Sequence, residues 1–221
     1  MATLATLCAS DLAAQRVPDV RVDTDTPGAG NSRESHIAAD GDSIYLVWID
    51  DRNGNDDVYF NRSEDRGSTW LANDVRLDTD VAGASTSATP RIAAANGNVY
   101  VIWSDARNGA RDVYANWSND QGATWQPTDR RLSTNAAGSS NATEPCLRAT
   151  GTNVYVAWED NRNGNRDIYA NLSNDSGTTW RATDLRLDSN TTSSFDSRKP
   201  QIAADGNSVY VVWHDARNGG S

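Results

Sequence analysis

The chain has 221 residues, and its 20 basic and 30 acidic side chains give it a formal net charge of −10. Nucleic acids and anionic membrane surfaces attract clustered positive charge, so an acidic chain of this kind is predicted to bind neither. No apolar run reaches the roughly 18 residues of a membrane span, and the opening residues lack the basic and apolar regions of a signal peptide.

A unit of 55 residues repeats along the chain without insertion or deletion. The period is marked by an Arg-Asn-Gly turn that begins at Arg52, Arg107, Arg162 and Arg217. A fixed period of this length predicts similar units that bury their faces against each other. The whole chain is therefore predicted to form one domain, residues 1–221, with units at 19–73, 74–128, 129–183 and 184–221.

Each unit is predicted to contain four short strands, as the second unit illustrates. Pro90–Ala94 is a short apolar strand, and Val99–Trp103 is rich in the β-branched and aromatic residues that strands favour. The Asn-Gly pair of the Arg107 triplet predicts a tight hairpin turn. Asp112–Ser118 is the third strand, and residues 125–132 lead out through the fourth. Helical periodicity is absent, so the sequence predicts an all-β protein.

The two ends of the chain fall within units rather than between them. The last unit stops before its third strand, and residues 3–9 lie in phase with that strand. We therefore expect residues 1–18 to complete the last blade by pairing with the C-terminal hairpin, which would cover both sheet edges. The sequence allows two ways to close the ring. One chain could form a four-bladed ring, or a homodimer could form an eight-bladed ring.

The turn between the third and fourth strands follows the pattern Ser-x-Asp-x-Gly-x-Thr-Trp in three units. The Asp can accept hydrogen bonds from turn N–H groups, the Gly can adopt a positive φ, and the Trp can pack against the next sheet. These structural residues are Ser63, Asp65, Gly67, Trp70, Ser118, Asp120, Gly122, Trp125, Ser173, Asp175, Gly177 and Trp180.

The pattern resembles the Asp box, or bacterial neuraminidase repeat, of sialidase-like β-propellers. The resemblance implies a propeller of four-stranded antiparallel blades, a secreted or cell-surface protein, and Asp boxes on the face away from the active site. An active sialidase of this kind would bind the sialate carboxylate with three arginines. In this chain Arg91, Arg107 and Asp112 match family motif residues, but all seven tyrosines occupy repeated strand positions, so none is singled out as the nucleophile.

The candidate site lies on the opposite face, where the Arg-Asn-Gly hairpins and the crossings between units meet. One position at the mouth of the innermost strand varies while its neighbour stays apolar, which fits either a binding site or drift at a solvent-lined channel. The candidate ligand-binding residues are His36, Arg91, Cys146 and Gln201, together with Arg52, Arg107, Arg162 and Arg217.

Carboxylates flank each hairpin, as Asp50 and Asp57 do in the first unit. A cross-hairpin Asp–Arg–Asp network is the simpler prediction, and a calcium site is the alternative because calcium binds carboxylate oxygens. No cofactor is predicted. Cys8 and Cys146 occupy different positions in the unit, so we expect two small buried hydrophobes rather than a repeated disulfide.

Three functional hypotheses follow. The first is a non-catalytic sialidase-like propeller that acts as a binding or scaffold module, with a glycan as the expected ligand. The second is a degenerate exo-sialidase or related glycoside hydrolase that uses Arg91, Arg107 and Asp112. The third is a fragment of a longer propeller, or an engineered repeat protein, whose activity is assembly only.

Overall fold

The computed structural model describes residues 3–4, 19–189 and 194–217. The first strands in chain order are β1 (Thr3–Leu4) and β2 (Val20–Arg21). The first complete blade consists of β3 (Arg33–Asp40), β4 (Ser43–Asp50), β5 (Asp57–Ser63) and β6 (Val75–Arg76). The second consists of β7 (Ser87–Ala95), β8 (Asn98–Asp105), β9 (Asp112–Ser118) and β10 (Arg130–Arg131).

The third complete blade consists of β11 (Ala142–Thr150), β12 (Asn153–Asn163), β13 (Asn165–Ser173) and β14 (Leu185–Arg186). A two-stranded sheet follows, formed by β15 (Ser197–Asp205) and β16 (Ser208–Asp215). Within each blade the strands lie in sequence order and pair antiparallel. The described residues contain no helix long and apolar enough to cross a membrane. The predicted all-β propeller of four-stranded antiparallel blades is confirmed.

The second strand of each blade is apolar on both sides because it lies between two neighbouring blades. In β8, Val99, Val101 and Trp103 face the first blade and pack in one core cluster with its residues. Tyr100 and Ile102 point the other way and pack in a cluster with residues of the third blade. A strand that is buried on both faces needs a continuous apolar run rather than an alternating one. This explains why these segments carry the strongest strand signal in the sequence.

The turns with the Ser-x-Asp-x-Gly-x-Thr-Trp pattern, which we call Asp-box turns after the motif that they resemble, have the predicted internal hydrogen bonds. The amide and the hydroxyl of Thr124 donate to the Asp120 carboxylate at 2.8 and 2.6 Å, and Gly122 N donates to Ser118 Oγ at 2.8 Å. Gly122 has a φ of +80°, and a Cβ there would lie 2.7 Å from Phe60 Cζ. Glycine is therefore required both by the backbone conformation and by the close approach of the first blade.

The predicted direction of tryptophan packing is wrong. Trp125 packs edge-on against Phe60 with the ring centroids 4.8 Å apart, and Trp180 lies 6.5 Å from Trp117. Each tryptophan therefore contacts the preceding blade rather than the next one.

The first strands of the blades lie side by side around a common axis. β3 packs against β7, β7 against β11, and β11 against β15. β15 does not pack against β3 to a comparable extent within the described ranges, so these residues form an open arc. The predicted pairing of residues 1–18 with the last hairpin falls mostly outside the described residues. Within them, β1 pairs with β2.

Each first strand contains a bulge that the sequence did not predict. The pairing register shifts at the same place in all four strands, for example between Ala88 and Arg91. The bulged residues have positive φ angles although none is glycine; they are Glu34 (54°), Thr89 (49°), Glu144 (50°) and Lys199 (53°). Non-glycine residues in this region are strained, and such strain is frequently found at functional sites.

Candidate functional site

A cavity of about 200 Å³ lies on the axis, beside the bulges of the first strands. The four phase-matched residues at the strand mouths line it together: His36, Arg91, Cys146 and Gln201. The exposed side chains of Glu144 and Lys199, two of the bulged residues, stand at its rim. The structure thus brings these predicted residues into one place. Their role in ligand binding stays a prediction.

The cavity continues along the axis into a second space of about 290 Å³. Its walls carry small apolar side chains such as Ala38, Ala93 and Ala149. Side chains with hydrogen-bonding groups are most numerous at the hairpin end of the axis, whereas in the deeper space they are His36, which lines both spaces, and Arg148. This arrangement gives the axis one chemically distinctive end, on the face opposite the Asp boxes.

Arg91 is the central cation of the axial cavity. It is half-buried, and among the described residues its guanidinium donates to the carbonyl of Pro90 at 3.0 Å. Burial and the nearby Arg91 charge both lower the pKa of His36. The Ile92 amide donates to His36 Nδ1 at 3.3 Å, which places the imidazole proton on Nε2. At neutral pH, His36 therefore offers the cavity an uncharged N–H donor.

Cys146 is a buried free thiol in the wall of the cavity. Burial raises its pKa to about 11, so the thiol is protonated at neutral pH and is a poor nucleophile. It packs with Ala157 and Ile168, as expected of a small hydrophobe. The other cysteine, Cys8, lies outside the described residues.

A buried carboxylate beside the cavity was missed by the sequence analysis. Glu159 is 3% exposed, accepts a hydrogen bond from the Lys199 amide at 2.6 Å, and lies 3.1 Å from Arg166 Nε. Burial raises its pKa, and the nearby Glu144 charge acts in the same direction. The phase-matched residues in the other units are Ile49, Ser104 and His214. The repeat is not kept at this position, and that difference is the sequence feature that could have drawn attention to Glu159.

The hairpin arginines pair with aspartates away from the cavity. Arg107 pairs with Asp105 at 2.7 Å and Asp129 at 2.9 Å, and its guanidinium lies 4.1 Å from the centre of the Tyr114 ring. Arg52 and Arg162 make the equivalent contacts in their own units. Arg217 pairs with Asp215 at 2.6 Å. None of these arginines is among the residues that line the axial cavity within the described ranges.

The predicted cross-hairpin network has a different second partner. Arg107 does not bridge Asp105 to Asp112 across the hairpin, but reaches Asp129 on the segment after the Asp box. Asp112 instead accepts from Asn108 and from Arg131, each at 3.0 Å. Two separate networks therefore fix the hairpin of the second blade, and the hairpins of the first and third blades have the same two sets of contacts. Of the three residues proposed for a sialidase, Arg91 lies at the cavity, whereas Arg107 and Asp112 belong to these networks.

Among the described residues, one acidic cluster on the first blade has the spacing of a cation site. Asp57, Asp78 and Asp80 have carboxylate oxygens within 4.8 Å of one another. Arg76 lies among them, at 3.3, 2.9 and 2.7 Å respectively. Its guanidinium supplies the positive charge that calcium would otherwise provide, which makes the cluster a poor fit for the ion. Burial nevertheless raises the pKa of Asp78 to about 7, against the influence of Arg76.

Solved structures of other proteins share the fold of this chain. A GH93 α-L-arabinofuranosidase of Fusarium graminearum in complex with arabinobiose matches 81% of this chain and 56% of its own, with a TM-score of 0.57 and 15% identity. A mutant α-L-arabinofuranosidase from the same organism, in complex with an iminosugar inhibitor, matches 86% of this chain and 55% of its own, with a TM-score of 0.54 and 13% identity. The chain shares the β-propeller fold of these two structures.

An endo-arabinase from Bacteroides thetaiotaomicron has a similar structure, with a TM-score of 0.51 and 16% identity. The match covers 85% of this chain and 71% of the enzyme. The chain thus spans little more than half the length of the two arabinofuranosidase structures. No family model matches the sequence, and no curated protein matches it. At these identities the likeness shows the fold alone.

Proposed function

We propose that this chain is a non-catalytic, sialidase-like Asp-box propeller that binds carbohydrate at the axial cavity. The proposal depends chiefly on one observation. Four strand positions that are equivalent by repeat carry His36, Arg91, Cys146 and Gln201, and all four side chains face one cavity. The glycoside hydrolase propellers that share the fold, one of them described in complex with arabinobiose, support a sugar as the ligand.

The polar groups of the cavity suit sugar hydroxyls. Arg91 has five N–H donors in a fixed fork, Gln201 has an amide that both donates and accepts, and His36 offers Nε2–H. Sugar hydroxyls donate and accept, so a mixed set of this kind can satisfy several of them together. The part of the cavity at the hairpin end, about 200 Å³, is smaller than the roughly 300–1,000 Å³ of a drug-sized pocket. We therefore expect it to take one terminal sugar ring.

A glycan array followed by titration calorimetry tests the proposal. We expect saturable binding of at least one glycan, and at least a tenfold loss of affinity in Arg91→Ala. The matched control is Arg130→Ala, because Arg130 is exposed on β10 and does not line the cavity. Absence of binding to every sialylated and neutral glycan would contradict the proposal, as would equal affinities for the two variants.

Hydrolysis by a degenerate sialidase is the second candidate, and the buried Glu159 is the observation that favours it. A carboxyl with a raised pKa can act as a general acid. Glu159 is, however, already engaged by the Lys199 amide and Arg166, while Arg107 and Asp112 are held in the hairpin networks. A fluorogenic sialoside distinguishes the two candidates. Turnover that falls in Arg91→Ala would favour the enzyme, and absence of turnover would favour the binding module.

Assembly without any ligand is the third candidate. It predicts a defined oligomer and no binding on the array. Because oligomer formation and glycan binding are measured independently, a negative array result combined with a defined oligomer would favour this candidate over the other two.

A further inference from the structure

The turn between the first two strands of the second blade differs from the same turn in the other units. At its first loop position the other units carry glycine, whereas the second unit carries Asn96, followed by Gly97. The equivalent glycines are Gly41, Gly151 and Gly206, and all four residues have a positive φ, which is 54° for Asn96. Asn96 is exposed, and its side chain has no hydrogen-bond partner among the residues that the structure describes. Its amide group is therefore accessible to reaction.

An asparagine that precedes a glycine can modify itself. The backbone nitrogen of the glycine attacks the side-chain carbonyl carbon of the asparagine, a C–N bond forms, and the side-chain nitrogen leaves as ammonia. The five-membered succinimide that results adds one water and opens to aspartate or isoaspartate. The attacking nitrogen must lose its proton during this step. A base within hydrogen-bond reach of that proton therefore accelerates the reaction.

The first blade supplies such a base to the turn of the second. Gly97 N donates to the Asp40 carboxylate at 2.7 Å, a distance suitable for general-base catalysis. In the Arg-Asn-Gly hairpins the glycine N–H groups donate instead to backbone carbonyls, which accept hydrogen bonds but are not bases at neutral pH. These contacts are Gly54 to Asp51, Gly109 to Ala106 and Gly164 to Asn161, each at 2.9 Å. Within the described ranges, Gly97 is thus the only glycine of an Asn-Gly pair whose N–H faces a carboxylate.

The hairpin asparagines are also restrained at the group that would react. The Asn108 amide nitrogen donates to Asp112 at 3.0 Å and to the Tyr114 hydroxyl at 2.7 Å. Asn53 and Asn163 have the same two contacts in their own units. Attack on these side chains requires both hydrogen bonds to break. One further Asn-Gly pair, at residues 218–219, lies outside the described residues.

We propose that Asn96 is a site of self-catalysed deamidation, in which Asp40 takes the amide proton of Gly97 and returns it to the departing ammonia. The succinimide nitrogen has no hydrogen, so the reaction removes the bond by which Gly97 joins the second blade to the first. Opening to isoaspartate also adds one atom to the backbone of the two-residue loop that the Ala95–Asn98 pair closes. The modification therefore alters one contact between blades, and it does not depend on glycan binding.

Peptide mapping by mass spectrometry tests where the chain reacts. The folded protein is incubated at neutral pH and sampled over time, and each peptide is followed for the mass gain that replacement of an amide NH2 by OH produces. We expect conversion at Asn96 to be at least about tenfold faster than at the hairpin asparagines. Asn53, Asn108 and Asn163 are internal controls in the same molecule. Conversion at Asn96 that is no faster than at these sites would overturn the proposal.

The Asp40→Ser variant tests the base, and we expect it to slow conversion at Asn96 roughly tenfold. Asp42→Ser is the matched control, because Asp42 belongs to the same turn of the first blade but pairs with Arg66. Unchanged or faster conversion in Asp40→Ser would overturn the proposal, as would equal slowing in the two variants.

The Asn96→Gly variant tests the assignment of the site. It restores the residue that the other units carry, and we expect the mass gain to disappear from this peptide. A mass gain that persists there would overturn the proposal, because it would place the reaction at another residue. Circular dichroism checks that the variants fold like the parent.

Discussion

The two faces of the arc use aspartate in opposite ways. In the Asp-box turns, hydrogen bonds from Ser118 and Thr124 lower the pKa of Asp120 to about 2 while the carboxylate stays near water. In the Arg-Asn-Gly hairpins, Asp105 is 0% exposed and depends on the Arg107 guanidinium. One face therefore stabilises carboxylates with turn donors, and the other stabilises them with buried ion pairs.

This difference predicts where substitutions reduce the stability of the fold most. A turn carboxylate that loses a partner can be hydrated instead, so the loss is limited. A fully buried carboxylate that loses its arginine keeps an uncompensated charge away from water, which is far more costly. We therefore expect substitutions on the hairpin face to have the larger effects on stability.

Arg107→Ala is predicted to have the largest effect. It leaves Asp105 buried without its cation and removes the contact to Asp129, so we expect a loss of about 3–5 kcal/mol in the free energy of unfolding. Urea denaturation measures it. Arg130→Ala is the control, because an exposed arginine should change stability by less than about 0.5 kcal/mol. Equal losses for the two variants would remove the distinction between the faces.

Asp78→Ser is predicted to have an intermediate, pH-dependent effect on the hairpin face. The second unit already has Ser133 at this position, which donates to Asp112 at 3.0 Å. Because the pKa of Asp78 is raised to about 7 in the folded protein, the folded state holds the proton more tightly than the unfolded state. Stability is therefore lost as the pH rises from about 4 through 7.

We expect Asp78→Ser to gain stability relative to the parent between pH 5 and pH 8, on the order of 2 kcal/mol. Urea midpoints measured across that range test the expectation. Parallel pH profiles for parent and variant would show that the buried Asp78 is fully compensated by Arg76.

Asp120→Asn is predicted to have the smallest effect, confined to acid. The folded pKa of about 2 lies below the ordinary value of 3.8, so the contribution of the carboxylate is present above about pH 4 and lost as the pH falls toward 2. Thermal midpoints should differ slightly at pH 7 and converge near pH 2. A difference that persists unchanged in acid would mean that the turn depends on geometry rather than on the charge.

Much of the fold could be predicted because the repeat fixes what each position must do. The run Val99–Trp103 is apolar at every residue, and both of its sides are buried by neighbouring blades. The Asp-box residues make hydrogen bonds within eight residues of sequence, so their geometry is local. The position of Arg91 at the mouth of the innermost strand also follows from strand order alone.

The remaining features depend on contacts between segments that are distant in sequence. The pairing of Arg107 with Asp129 requires the segment after the Asp box to return to the hairpin, which no local pattern indicates. The packing of Trp125 depends on Phe60 of the preceding blade, a contact that no local pattern indicates. The role of Glu159 depends on the Lys199 amide of the following unit, 40 residues away.

The bulges in the first strands have a consequence for how new binding specificities can arise in this architecture. The same positive-φ conformation holds Glu34, Thr89, Glu144 and Lys199, so the backbone accepts an acid, a hydroxyl or a base there. The bulge therefore keeps its backbone conformation whichever side chain it carries, including at Glu144 and Lys199 on the cavity rim. A library that varies these four residues and their cavity neighbours would explore many ligand chemistries on an unchanged scaffold, whether by natural mutation or by design.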